Sequence, residues 1–314
     1  RAGSERLFRQ PRKRRRRQRI AQPLVRPSKK RVRRFYDSRV RGSAAHEGRY
    51  PLGPHEKRVK TVRDQTAVVK ERQEIARGIV ALDLRLEHWE DVVPGQFVHV
   101  AVNGSYLRRP ISIAEADPVE KSLLLIVQKI GAGTTLLADA SRQGTSLKIL
   151  SPLGRGFVWE KEKSVWLVGG GVGVAPLILL ARRLYEDGGK VESFTGFRDE
   201  DRVYGLDRLQ KYGKVHSSVG SLVTEALEER LLRERPDLLL TCGPAPMLKA
   251  VQSLCRRHGL RAQASLEEYM GCGIGACLVC NCRIRIKDGF AYKRVCADGP
   301  VFDLEDVAFD EGDV

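Results

Sequence analysis

Apolar and polar positions fall into three successive regimes along the chain. From about residue 57 to 158, short alternating or wholly apolar runs are broken by turn residues: "TAVVKERQEIARGIVALDLRL", "GQFVHVAV", "RRPISIAEAD", "SLLLIVQKI" and "GTSLKILSPLG". Closely spaced strands of this kind predict a small antiparallel β-barrel. From about 164 to 260 the period changes: the apolar runs "SVWLVGG", "KVESFTGF" and "DLLLTCGP" alternate with the helical patterns "APLILLARRLYEDGG", "TEALEERLLRE" and "APMLKAVQSLCRRHG". That alternation predicts a parallel sheet with helices on its faces. The last fifty residues show little period, so something other than a large hydrophobic core is expected to organise them. The expected fold is multidomain: a basic tail at 1–56, an antiparallel barrel at 57–158, an α/β domain at 159–262 and a small C-terminal domain at 263–314.

Charge sharpens this division. The 314 residues carry a formal net charge of +17, which would ordinarily point to nucleic acid. Residues 1–60, however, hold 22 Lys and Arg against 4 Asp and Glu, which leaves 34 basic and 35 acidic residues in the remainder. The body is near neutral, and no nucleic-acid partner is expected for it. The tail, with "RKRRRRQR" at 12–19, is self-repelling and expected to be disordered when alone. A start assigned upstream of the true one, near Val59, would account for a chain that opens on Arg1 and whose only methionines are Met247 and Met270. The uncharged run Ser164–Ala181 reaches the length of a marginal membrane span, but four glycines and Pro176 at its centre split it into strand, turn and helix start. A soluble protein is expected.

Each regime carries one piece of chemistry. In the barrel, "RRPISI" sets Arg109 three residues before Ser112, a guanidinium able to grip phosphate and a hydroxyl able to meet a flavin or ribose. The bland alternative is a solvated strand edge. Gly131, Gly133, Thr134 and Thr135 precede a helix whose free NH groups would cradle a diphosphate. In the α/β domain, Gly169, Gly170, Gly171 and Gly173 follow a buried strand and lead into a helix with Pro176 in its first turn, a place for a dinucleotide or a purely structural tight turn. Cys242, in "TCGPAPM", could touch a nicotinamide or serve only packing. The carboxylates of "RDED" at 198–201 should repel a 2′-phosphate and favour NAD.

Five of the seven cysteines lie between 272 and 296. Cys272, Cys277 and Cys280 stand as C-x4-C-x2-C, the loop spacing of plant-type 2Fe-2S centres, and Cys296 supplies a fourth thiolate. Gly271, Gly273 and Gly275 let the loop close tightly with NH groups aimed at sulfur. A structural zinc site is the alternative, which would make the chain a zinc-stapled nucleic-acid binder; zinc ribbons usually pair two C-x2-C knuckles, and here there is one. Cys282 is a spare that could substitute as a ligand. No catalytic base or nucleophile stands out, and His46, His55, His88, His99, His216 and His258 lie outside the motifs and read as surface or core. The three sites together describe an electron conduit between flavin, dinucleotide and cluster.

From about 57 to 308 the chain resembles the electron transfer subunits of NAD-dependent dihydroorotate dehydrogenase, within the ferredoxin-NADP reductase-like family. The resemblance is carried by "RRPISI", "GAGTT", "PLGRGF", "GGGVGVAP", "TCGPAPM", "SLEEYMGCGIGACLVC" and "RVCADGPVFDLEDV". It implies that Arg109, Pro110, Ile111, Ser112, Ile126, Val127, Gln128, Gly133 and Thr134 bind FAD, and that Cys272, Cys277, Cys280 and Cys296 hold a 2Fe-2S cluster. It also implies a cytoplasmic complex, two subunits of each kind, with an FMN-containing catalytic subunit that oxidises dihydroorotate to orotate in pyrimidine synthesis; NAD takes the electrons. Sulfide dehydrogenase and ferredoxin-dependent transhydrogenase subunits share the layout. Some of these place Asp where Cys272 stands, so "GCGIGAC" favours the dihydroorotate assignment.

Overall fold

Six strands close the first domain into a barrel in the order β1-β2-β5-β4-β3-β6: β1 (Arg63–Ala76), β2 (Ile79–Leu86), β3 (Phe97–Val100), β4 (Arg109–Asp117), β5 (Ser122–Gln128) and β6 (Ser146–Leu153). All neighbouring pairs are antiparallel. The computed structural model describes residues 62–309; the basic tail and its start site lie outside the described residues. Val80, Leu82, Leu84, Val98, Val100, Ile113, Leu123, Leu125, Val127 and Ile149 fill the barrel. The β5 sequence "SLLLIVQ" is apolar on both faces because its outward side chains Leu124 and Ile126 are also covered, by the second domain. Helix α1 (Ala132–Ala140) follows β5 directly.

The second domain is a six-stranded sheet in the order β14-β11-β10-β7-β8-β9. Its strands β7 (Ser164–Gly170), β8 (Lys190–Phe197), β9 (Gly213–Val219), β10 (Leu238–Cys242) and β11 (Ala262–Ser265) run parallel. Between them lie α2 (Val174–Glu186), the single turn α3 (Leu206–Leu209), α4 (Val223–Leu231) and α5 (Ala245–His258). Helix α5 ends on Gly259 in the left-handed conformation, and Arg256, Arg257 and His258 occupy its last turn, where cations complement the helix dipole. The chain proceeds from β7 to β8 and β9 on one side, then crosses to β10 and β11 on the other, which puts the reversal of strand order between β7 and β10.

The C-terminal segment is better anchored than its weak period implies. Strands β12 (Asn281–Ile286) and β13 (Gly289–Arg294) form a hairpin, and β14 (Val301–Asp303) returns to pair antiparallel with β11 at the edge of the large sheet. Met270, Cys280, Ile284, Val295, Cys296, Leu304 and Val307 share a core with Phe97 and Leu153 of the barrel and Leu248 and Val251 of α5. The expectation that no sizeable core organises this segment is therefore corrected: its apolar residues are widely spaced, but they converge on one borrowed surface.

Barrel and sheet are joined by apolar packing of Ala114, Leu124 and Ile126 against Val174, Leu177, Ile178 and Phe197, and by a buried ion pair between Glu115 of β4 and Arg208 of α3. Glu115 is 8% exposed and Arg208 2%. Removing one partner of a buried pair exposes the other to the full desolvation cost. Glu115→Ala should lower unfolding stability by about 3 kcal/mol, measured by denaturant titration. An unchanged midpoint would mean that the joint is held by its apolar contacts alone.

Candidate functional site

Strands β4 and β5 open a wedge at one end of the barrel. They pair from Ile113 with Leu125 to Asp117 with Ser122, and no further. Arg109–Ser112 continue paired only to β3, and Ile126–Gln128 only to β2. The facing backbone edges of these two stretches are thereby left for something else to meet. Val127 points into the barrel and Ile126 into the domain joint, so only their backbone and the half-exposed Gln128 side chain are offered to the wedge.

Arg109 lies at the mouth of this wedge, directly against the first turn of α1. Its guanidinium crowds Gly133 so closely that a Cβ there would occupy the space of Nε and Cζ. The same guanidinium donates to the carbonyls of Leu107 (2.7 Å) and Arg108 (3.1 Å) and to Ser105 Oγ (2.9 Å). Thr134 Oγ1 accepts from the NH groups of Ile130 (3.1 Å) and Gly131 (3.3 Å) and fixes the loop before the helix. An arginine fork beside the NH groups of a helix start is a site for a diphosphate. The predicted residues Arg109, Gly133 and Thr134 are thus brought together, with Pro110, Ile111 and Ser112 along the strand beside them.

Of the two readings open for the glycines of the second domain, close packing accounts for three of the four positions. A Cβ on Gly169 would strike Leu177 and Val174, on Gly170 Met247, and on Gly173 the carbonyl of Cys242. They are glycines because strand, turn and helix pack together there. Only Gly171, at φ +53, faces open space. The loop nonetheless sits at the carboxyl ends of β7 and β10, at the reversal of strand order where parallel sheets bind ligands. Gly169 is in register with Cys242. Burial pushes the Cys242 thiol well up, the nearby Glu267 carboxylate adds to this, and a bond with Ser265 opposes it. Glu267, which motif reading passed over, opens to solvent yet is enclosed closely enough that desolvation raises its carboxyl. The "RDED" carboxylates are partly committed elsewhere: Arg77 of the barrel pairs with Asp199 (3.2 Å) and Asp201 (2.9 Å), and Arg202 with Asp199 (3.3 Å). Their repulsion of a 2′-phosphate is weaker than the sequence implies. A cavity of about 380 Å³ bounded by Lys190, Glu192, Lys214 and Arg230 lies at the opposite end of this sheet and takes no part in the crevice.

The cysteines converge two by two. Cys272 and Cys277 exchange NH···S contacts of 3.4 Å, and the NH of Cys296 reaches Cys280 Sγ at 3.4 Å. Gly275 NH bridges the pairs, donating to Cys296 Sγ at 3.1 Å, while Ile274 and Ala276 donate to Cys272 Sγ at 3.5 and 3.2 Å. Burial opposes ionisation of Cys272, but the NH donors and the Cys277 thiol outweigh it and bring the thiol down to about 6. Cys296 is pushed up to about 12, by burial and then by the adjacent Cys280. Thiolates crowded together in this way need a shared cation. Among the described residues, no three His, Cys, Asp or Glu side chains converge on a single metal ion. A two-plus-two arrangement lined by NH donors fits a centre of two metals bridged by sulfide, each taking two thiolates. Cys282 takes no part in these NH···S contacts; it lies on β12 opposite Lys293, its thiol pushed up to about 12 by burial first, with Glu268 and Cys280 adding to the shift.

Arg294 clamps the loop from outside: it donates to Gly275 O (3.0 Å) and forms a fork with Asp298 (2.9 and 3.2 Å). From inside, Gly273, at φ +73, rests on the ring of His99 from β3. Ile274, Leu278 and Val279 are exposed around the thiols, with Tyr269 and Tyr292 nearby in the chain. Leu278 holds φ +60, a left-handed conformation unusual for leucine.

Comparison with known proteins matches residues 267–308 to the family described as the iron-sulfur cluster binding domain of dihydroorotate dehydrogenase B. The dihydroorotate dehydrogenase B (NAD(+)) electron transfer subunit of Shouchella clausii is 44% identical over 227 residues, covering 68% of this chain and 86% of that protein. The subunit of the same name from a Geobacillus species is 39% identical over 256 residues, covering 78% and 98%. Among solved structures, an NADH-dependent reduced ferredoxin-NADP oxidoreductase superposes with a TM-score of 0.71 at 28% identity over 78% of this chain and 90% of that one. Phthalate dioxygenase reductase, at TM-score 0.53 and 20% identity over 74% and 77%, shares the fold.

Proposed function

The chain belongs to the family of electron transfer subunits of NAD-dependent dihydroorotate dehydrogenase B, and on that premise we propose how its residues perform the task. It is an oxidoreductase subunit that carries electrons from the FMN of a catalytic subunit, which oxidises dihydroorotate in pyrimidine synthesis, to NAD. When bound, a 2Fe-2S cluster supplies single-electron passage and FAD the exchange between single electrons and hydride.

This chain's own residues create the three places. Cys272 and Cys277 would hold one iron and Cys280 and Cys296 the other, with the NH groups of Ile274, Gly275 and Ala276 offsetting the negative charge gathered on sulfur. The wedge between Arg109–Ser112 and Ile126–Gln128 takes the flavin, with Arg109 and the α1 start at Gly133 and Thr134 gripping its diphosphate. The crevice at Gly171 and Cys242 takes NAD. The single observation that carries the reading is the pairing of four thiols, three from an NH-lined loop and Cys296 from beyond the hairpin, in a segment packed against barrel and sheet together.

The apolar rim of Ile274, Leu278 and Val279 is the face offered to the catalytic subunit, in a complex of two subunits of each kind. No described helix is long and apolar enough to cross a membrane, and we place the complex in the cytoplasm. Likeness to the ferredoxin-linked oxidoreductase makes transfer to ferredoxin the second reading.

The test is purification with an FMN-containing partner under anaerobic conditions. Iron, sulfide and both flavins should be present, and orotate formation should accompany NAD reduction. NAD reduction answering to ferredoxin or sulfide and not to dihydroorotate would install the second reading. A colourless preparation holding zinc would overturn both.

A further inference from the structure

His99 is the buried group that none of the three sites explains. It has no solvent exposure. Val98 and Val100 on either side of it fill the barrel, so Phe97 and His99 point out of β3 in the other direction. Phe97 packs with Met270, Cys280 and Cys296. Across the strand pair, Phe97 faces Ser112 and His99 faces Pro110, both on the strand assigned to the flavin. Over the imidazole lies Gly273, where any Cβ would collide with Nδ1.

Neither ring nitrogen completes a hydrogen bond. Burial lowers the basicity of the ring, the charges of Arg108 and Arg109 add to this, and backbone groups of Arg108 and Cys272 oppose it. An incompletely satisfied buried polar group costs about 1–3 kcal/mol. A leucine would fill the same space without that cost, so simple packing does not account for a histidine here.

We propose that His99 is a positioning residue for electron transfer, an imidazole strut that fixes the Cys272–Gly273 turn of the cluster loop above the flavin-binding strand β4, with ring Nδ1 set against the backbone of that turn. The inference rests on the FAD and 2Fe-2S reading above. The strut forms and breaks no covalent bond. It acts by holding the NH groups that follow Cys272 in line with the Cys272 sulfur, and by keeping loop and strand at one separation. Outer-shell partners of this kind tune both the potential of a cluster and its rate of electron exchange.

The experiment compares wild type, His99→Leu and His99→Asn in the intact complex with the catalytic subunit. Iron, sulfide and flavin contents are measured first; then the electron paramagnetic resonance signal of the reduced cluster, its midpoint potential, and the rate at which NADH reduces it. His99→Leu should keep its cofactors but show a shifted resonance signal and a reduction rate lower by about tenfold or more. His99→Asn, which retains an N–H, should recover most of both. Signal, potential and rate all unchanged in His99→Leu would overturn the proposal. If His99→Leu does not retain its cluster, His99→Asn decides: recovery supports the strut, and an equal loss overturns it. A wild-type complex without iron would instead refute the underlying reading before any variant is made.

Discussion

Cys280→Ser is expected to abolish the iron-sulfur signal and lower dihydroorotate-linked NAD reduction by about 100-fold. Cys280 is 2% exposed and, in the proposed centre, would share one iron with Cys296, whose NH also points at its sulfur. A serine hydroxyl in that place is a poor iron ligand and stays protonated, so one iron loses half of its protein ligands. The flavin wedge is built from other strands, so NADH should still reduce an artificial dye in the variant. Cys282→Ser is the control, because Cys282 lies outside both thiol pairs and its replacement should leave iron content and signal at wild-type values. The assignment fails if Cys280→Ser retains a full complement of iron, or if Cys282→Ser loses it.

Arg109→Ala should weaken FAD binding by about 100-fold. Hydrogen bonds to a charged group contribute roughly 1.5–3 kcal/mol each, and two from one guanidinium to a diphosphate total about 3 kcal/mol, or two decades of affinity. Arg109 also holds the carbonyls of Leu107 and Arg108 and the hydroxyl of Ser105, so the variant loosens the loop that borders the wedge. Arg109→Lys should recover only part of the loss, since an ammonium lacks the planar fork. Flavin titration followed by fluorescence measures both. Equal affinity in Arg109→Ala and wild type would remove Arg109 from the flavin site.

How far the sequence could be read depended on how local each feature is. The barrel strands were legible because Val80, Leu82 and Leu84 alternate with period two, and β5 because it is apolar throughout. The cluster was legible because three of its thiols lie within one loop. Strand β9 escaped notice because "GKVHSSV" is a half-exposed edge with few apolar positions, and β14 because three residues carry no period. The contact of Arg109 with Gly133, and of His99 with Gly273, joins elements distant in sequence. Nothing in "GQFVHVAV" distinguishes the histidine that meets the cluster loop from an ordinary strand residue. The glycines after β7 were legible as a loop, but the choice between dinucleotide approach and a packed turn was not: folded neighbours crowd Gly169, Gly170 and Gly173, while Gly171 is open.

Strand β14 closes the outer border of the large sheet, and the last thiolate, Cys296, lies just upstream of it between two hairpin-linked anchors. Without β14 in place, the backbone of Ala262–Ser265 would be an open template for strand addition by other molecules.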